Sequence, residues 1–125
     1  MRRLVRFAPE LIRIQGRERI TPLHYAAEVE EIDFLAEFLL KCPASIEDVT
    51  LCCETALHIA VKNGKLRAFK VLFGWLKRTN NRREILNWGD EDGNTVLHVA
   101  ASTNQTEVHF LTFFFLFLID NKMHI

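Results

Sequence analysis

The sequence predicts an all-α fold, a solenoid of stacked antiparallel helix pairs, and three observations carry that prediction. The heptad Thr21-Pro22-Leu23-His24-Tyr25-Ala26-Ala27 returns 34 residues later as Thr55-Ala56-Leu57-His58-Ile59-Ala60-Val61. It returns again after a further 40 residues as Thr95-Val96-Leu97-His98-Val99-Ala100-Ala101. A second marker holds the same register, because Ala8-Pro9 and Cys42-Pro43 are also 34 apart and lead to Ile12 and Ile46. Thirdly, the stretches after the heptads carry apolar residues at three-and-four spacing, the period of a one-sided helix. Self-similarity at a period of about 33 residues marks stacked helical units.

The elements follow in order. Thr21 is an N-cap whose hydroxyl accepts an amide left unpaired at the helix start. Pro22 then stands at N1, where the missing amide costs nothing. Leu23, Ala26 and Ala27 give a short helix a close-packing face, with Glu28 to Glu31 expected as the turn. A longer helix over about 33–41 carries Phe34, Leu35, Phe38 and Leu39 on one stripe, and Cys42-Pro43 ends it. The second copy repeats this with a helix near 56–62, the turn Asn63-Gly64, and a helix over about 67–77. Leu66, Phe69, Val71, Leu72, Trp75 and Leu76 supply its packing. The third copy predicts a helix near 96–102, a turn around Asn104 and a helix from about Thr106. Each pair is too small to bury its own face, so the pairs must stack.

The six extra residues between the second and third copies fall in the polar, basic stretch from Lys77 to Arg83. A surface insertion there costs little loop-closure entropy. Ile85, Leu86 and Trp88 are expected to fold back as a short helical cover before the turn from Asp90 to Asn94. The chain then reads as one repeat domain over 1–125: a partial repeat at 1–20, then repeats at about 21–54, 55–94 and 95–125.

Composition sets the function classes. The chain has 125 residues, 49% of them apolar and 10 of them Phe, enough to fill a core. Formal net charge is zero, which gives no general reason to expect nucleic acid. Charge is nevertheless uneven. Arg2, Arg3, Arg6, Arg13, Arg17 and Arg19 crowd the start, whereas Glu28, Glu30, Glu31, Asp33 and Glu37 follow. That reads as a solvated, polarised surface, or as a basic patch for an acidic partner or a membrane leaflet. Cys42, Cys52 and Cys53 make an odd count with no recognisable secretory leader in these residues, so a reducing compartment is the default expectation. They form no paired cluster of the metal-binding type, and Asn104-Gln105-Thr106 matches a glycosylation sequon by letter only.

A catalytic reading finds no footing. His24, His58 and His98 recur with the fold period, so stacking sets them in one slot of successive units, about 10 Å apart. That spacing is too wide for shared ligation. Metalloprotease, phosphate-loop and dinucleotide motifs are missing, and Asp90, Glu91 and Asp92 lie in a turn without an acid–base partner. The sequence therefore predicts no enzyme activity, no metal and no cofactor.

Together the heptads, the turns after them, and Asp90-Glu91-Asp92-Gly93-Asn94-Thr95 resemble ankyrin repeats over nearly the whole chain. The stretches from Cys42 to Thr50 and from Glu84 to Trp88 resemble plant ankyrin proteins of the membrane-associated defence and salt-response type. Those proteins carry a longer array and a C-terminal multi-span membrane module, the PGG domain, which these residues do not contain. The resemblance implies structural roles for Thr21 and His24, Thr55 and His58, and Thr95 and His98. The family's proline is kept as Pro22 and replaced by Ala56 and Val96. Its turn glycine stands as Gly93, but Arg19 and Cys53 replace it elsewhere, which predicts departures from ideal turn geometry at the first two junctions. The glycine between paired helices survives as Gly64, with Glu30 and Asn104 at the equivalent places. Binding in this family uses turn tips and the exposed side of the first helices. Here that implies Arg17, Glu18, Glu28, Asp48, Lys62, Asn63, Glu91, Asp92 and Ser102 as protein-contacting residues.

The two ends differ from the middle. Leu4, Val5 and Phe7 align with the end of a long helix whose partner is missing. Residues 110–119 run Phe-Leu-Thr-Phe-Phe-Phe-Leu-Phe-Leu-Ile, with almost no polar face. That is shorter than the roughly 20 residues a spanning helix needs. The resemblance, with the missing catalytic motifs, implies a non-enzymatic protein-interaction module, a signalling adaptor in plant defence or stress response that binds another protein. It would sit at the cytoplasmic face of the plasma membrane if the resemblance holds, or in the cytoplasm as a fragment. Membrane proximity would come through the hydrophobic C-terminus or a missing membrane domain. The alternatives are a truncated, non-functional fragment of a membrane-anchored ankyrin protein and a scaffold lying on a membrane surface.

Overall fold

Periodic capping signals become helix starts in the structure. The computed structural model describes residues 9–78 and 80–104, and six α-helices lie among them: α1 (Pro9–Ile12), α2 (Pro22–Val29), α3 (Ile32–Lys41), α4 (Ala56–Lys62), α5 (Leu66–Arg78) and α6 (Val96–Ser102). Short 3-10 helices cover Arg17–Arg19, Pro43–Glu47 and Asn80–Asn87. The architecture is all-α, two layers of helix pairs. Helices α2, α4 and α6 stack as an inner row, α3 and α5 stack as an outer row, and α2 pairs with α3 as α4 pairs with α5.

The same two reciprocal bonds open each inner helix. Thr21 Oγ1 accepts the His24 amide at 3.4 Å, while His24 Nδ1 accepts the Thr21 amide at 3.0 Å. Thr55 with His58 and Thr95 with His98 repeat this reciprocal cap. Each pair satisfies two donors that a helix start leaves unpaired. The inner helices then pack closely because Ala26, Ala60 and Ala100 let their backbones approach, each 2% exposed or less. Leu23, Leu57, Leu35, Leu39, Phe69, Leu72 and Leu76 fill the space between the rows. Ile12, Ile46 and Leu86 form a second buried column at the junctions, at 1%, 0% and 0% exposure.

Helix α2 runs two residues further than its sequence suggests, through Val29, so Glu28 lies on the helix and not in a turn. The chain reverses at Glu30, which is left-handed at φ 61°. Glu31 N–H then bonds Ala26 C=O at 2.9 Å, as Lys65 N–H bonds Ala60 C=O at 2.8 Å beyond Gly64. That six-to-one bond is the usual glycine-type helix ending, here built on glutamate. The Glu30 carboxylate compensates by accepting the Arg67 and Ala68 amides at 2.9 and 3.2 Å. These are first-turn donors of α5, where a negative charge also meets the positive end of the helix dipole.

The expected departure occurs at the first junction, where Glu18 is left-handed at φ 57° beside Arg19, and not at the second. Arg19 and Cys53 both sit at φ 62°, close to Gly93 at 80°. Each junction closes with the same two backbone bonds. Arg19, Cys53 and Gly93 donate to Gly16, Thr50 and Asp90, and those residues donate to Ile20, Glu54 and Asn94. Tertiary pairing outweighs the left-handed penalty, because neighbouring tips are also stitched together. Leu51 N–H reaches Glu18 C=O, and Glu91 N–H reaches Cys52 C=O, each at 2.9 Å.

After the insertion, Ile85 and Leu86 are buried residues of the 3-10 helix Asn80–Asn87, with Trp88 half-buried after it. The expected helix from Thr106, the apolar run 110–119 and the N-terminal Leu4, Val5 and Phe7 lie outside the described residues. Among the described residues no helix is long and apolar enough to cross a membrane.

Candidate functional site

Two of the three recurring histidines are buried links between units. His24 and His58 are each 1% exposed, and their Nε2 atoms meet the Asp48 and Asn94 carbonyls at 3.0 and 2.9 Å. With Nδ1 accepting the threonine amide, Nε2 carries the proton and donates to the carbonyl of the following junction. Each ring therefore ties one inner helix to the next tip. Burial lowers both histidine pKa values, against a partial rise from the nearby carbonyls and carboxylates. His98 makes the same cap with Thr95 but lies exposed.

What the fold does assemble is a groove of about 260 Å³ between the hairpin tips and the inner helices. Its walls are Glu18, Thr50 and Cys52 from the tips and Glu28, Lys62 and Asn63 from the ends of α2 and α4. Ile20 and Ile59 form an aliphatic floor, and Glu54 completes the lining.

Lys62 Nζ pairs with Glu54 at 2.7 Å, and that carboxylate raises the ammonium pKa. Asn63 Nδ2 donates to Ile59 C=O at 2.8 Å and so closes the end of α4. At the second tip, Thr50 Oγ1 accepts the Cys52 and Glu54 amides at 3.2 and 3.3 Å. Asp90 Oδ1 does the same for Asp92 and Asn94 at the third tip, both at 2.9 Å. The tips are therefore braced from inside.

Of the residues implied for partner contact, the groove brings together Glu18, Glu28, Lys62 and Asn63. Arg17 is exposed on the first tip, and Glu91 and Asp92 are exposed on the third. Ser102 is exposed at the end of α6, its hydroxyl turned onto Val99 C=O at 3.0 Å. Asp48 stands apart. It is half-buried, its carboxylate held from both sides by the Arg13 guanidinium, with Nε at 3.0 Å, and its backbone carbonyl holds His24. Ile20, Thr50, Cys52, Glu54 and Ile59 were missed from sequence. The sequence reading gives Ile20 no role and Ile59 only its place in the heptad; in the structure Ile20 is half-buried and Ile59 is 7% exposed. The register was the available signal, since Glu54 directly precedes a capping threonine.

Among the described residues no group of three or more His, Cys, Asp or Glu side chains is placed to hold a metal ion. Cys42 is half-buried, and Cys52 and Cys53 are exposed free thiols.

Comparison with known proteins agrees with this geometry. The family described as "Ankyrin repeats (3 copies)" matches residues 2–83 and 23–112. A "Transient receptor potential cation channel subfamily A member 1 homolog" from Caenorhabditis elegans is 34% identical over 91 residues, 73% of this chain. The "Ankyrin repeat-containing protein BDA1" of Arabidopsis thaliana is 45% identical over 54 residues, 40% of this chain. The chain spans 7% and 13% of the length of these two relatives. Threonine–histidine caps, stitched tips and stacked helix pairs are thus accounted for together: the chain belongs to the ankyrin-repeat family, a non-enzymatic protein–protein interaction fold.

Proposed function

We propose that this chain binds its partner through the groove between tips and inner helices, as the interaction module of a signalling adaptor. The observation carrying this reading is the convergence of Glu18, Glu28, Lys62 and Asn63 around an aliphatic floor, on a framework whose turns and helix ends are already hydrogen-bonded. Pre-organised walls lose little entropy on binding. The apolar floor supplies contact area, and the charged rim supplies selectivity.

A role in plant defence or stress response belongs to the same reading. Its support is the resemblance of the 42–50 and 84–88 stretches to plant ankyrin proteins, together with the similarity to the Arabidopsis protein. The nematode relative shows that the repeat alone does not select a pathway. Placement at the cytoplasmic face of the plasma membrane rests on the plant resemblance alone.

The test is a two-hybrid screen of a plant cDNA library with the wild-type chain and with Lys62→Ala/Asn63→Ala. Partners recovered by the wild type and lost with the double variant, at unchanged circular dichroism, support the groove. Partners that ignore both substitutions place binding elsewhere on the surface.

A further inference from the structure

The groove has a sign. Three carboxylates line it, Glu18, Glu28 and Glu54, against one cation, Lys62. Lys62 is already engaged with Glu54 at 2.7 Å. Glu18 and Glu28 are exposed and form no ion pair within the described residues. Along the same edge the third tip adds Asp90, Glu91 and Asp92. The Cys52 thiol at the groove wall registers this field: its pKa is raised, foremost by a hydrogen bond to Glu91 and further by the charges of Glu91, Glu54 and Glu18. Arg17 and Arg19 stand on the first tip but do not line the groove.

The polar uncharged groups of the groove are largely spent on the fold, since Asn63 holds Ile59 C=O and Thr50 holds two amides. What remains for a partner is negative charge over an aliphatic floor. At about 260 Å³ the groove is smaller than the roughly 300–1,000 Å³ of drug-sized ligand sites. It suits one or two side chains of a peptide.

We propose that the groove recognises a protein segment carrying lysine or arginine beside an aliphatic residue. The cation meets the Glu18 and Glu28 carboxylates, and the aliphatic side chain lies on Ile20 and Ile59. This rests on the binding-groove reading above and goes further by giving the partner's chemistry. An acidic segment or an anionic lipid headgroup meets like charge here and is disfavoured. Lysine and arginine fit for a second reason, because their methylene stems cover apolar surface while the charged end stays at the rim.

The experiment is selection from a phage-displayed random dodecapeptide library on the full chain, followed by fluorescence polarisation with the selected peptides. Enrichment of Lys or Arg next to Leu, Ile or Val is expected. Affinity should fall about tenfold in Glu18→Gln/Glu28→Gln, as for two partly exposed ion pairs, and weaken further with added salt. Glu37→Gln, on α3 and outside the groove, should leave it within about twofold. Both groove glutamates are exposed, so circular dichroism should be unchanged, and Glu28→Gln alone provides a second reading. Peptides that are acidic or uncharged yet displaced by Asn63→Arg would overturn the charge assignment and leave groove binding standing. Peptides insensitive to every groove substitution, or no enrichment at all, would overturn both.

Discussion

Single residues here act through hydrogen bonds whose protonation state matters. His58 joins the Thr55 cap to the Asn94 carbonyl, so His58→Ala leaves buried donors and acceptors unpaired. Chemical denaturation should show a loss of about 1–3 kcal/mol, and a smaller loss for His98→Ala, whose ring is exposed. The same bonds set a pH dependence. Nδ1 accepts and Nε2 donates, so the folded state holds the neutral ring, and burial puts the folded pKa of His24 and His58 below the usual value. The unfolded chain therefore takes up these protons first. Stability should be full above about pH 6.5 and decline as the pH falls from there toward the lowered folded values. Melting temperatures between pH 7.5 and 5 would show it, and His24→Gln/His58→Gln should flatten the slope. Backbone strain is also local. Cys53 holds φ 62° at a glycine position. Cys53→Gly should raise stability by about 0.5–1 kcal/mol, the relieved left-handed cost less the added unfolded-state entropy.

At the scale of an element, Glu30 links two helices with one side chain. It ends α2 in a left-handed turn and caps α5 through Arg67 and Ala68. The two effects separate by substitution. Glu30→Ala keeps the strain and loses the cap, so urea titration should show about 2 kcal/mol lost. Glu30→Gly loses the cap but relieves the strain and should be milder by about 1 kcal/mol. Equal losses would mean the backbone at this position is not strained. The sequence placed Glu30 at a glycine position of the repeat but did not show its compensation. The capped amides lie 37 and 38 residues away, and no local pattern carries that distance. Helix starts were legible for the opposite reason. The threonine, the third-position histidine and Pro22 act within one turn.

The whole molecule is a stack in which each pair covers its neighbour. Leu57 is fully buried in α4, which packs against α2, α5 and α6. Leu57→Ala should cost about 2–5 kcal/mol, and hydrogen exchange should lose protection in α2 and α5 as well as α4, because the units hold one another. Loss confined to α4 would contradict that coupling. At this scale the groove residues were only partly legible. Family logic pointed to tips and first helices, which located Glu18, Glu28, Lys62 and Asn63, but it also pointed to Asp48, which Arg13 takes from across the junction. By itself the sequence determined the repeat, its period, the capped helix starts and the structural use of the histidines. Those depend on contacts within a turn or on exact recurrence. Only the tertiary structure decided that Arg19 and Cys53 behave as glycines do, that Glu30 caps α5, and that isoleucines 20 and 59 floor an acidic groove. Each depends on one unit's side chains or amides meeting those of the next, across distances that the sequence does not display.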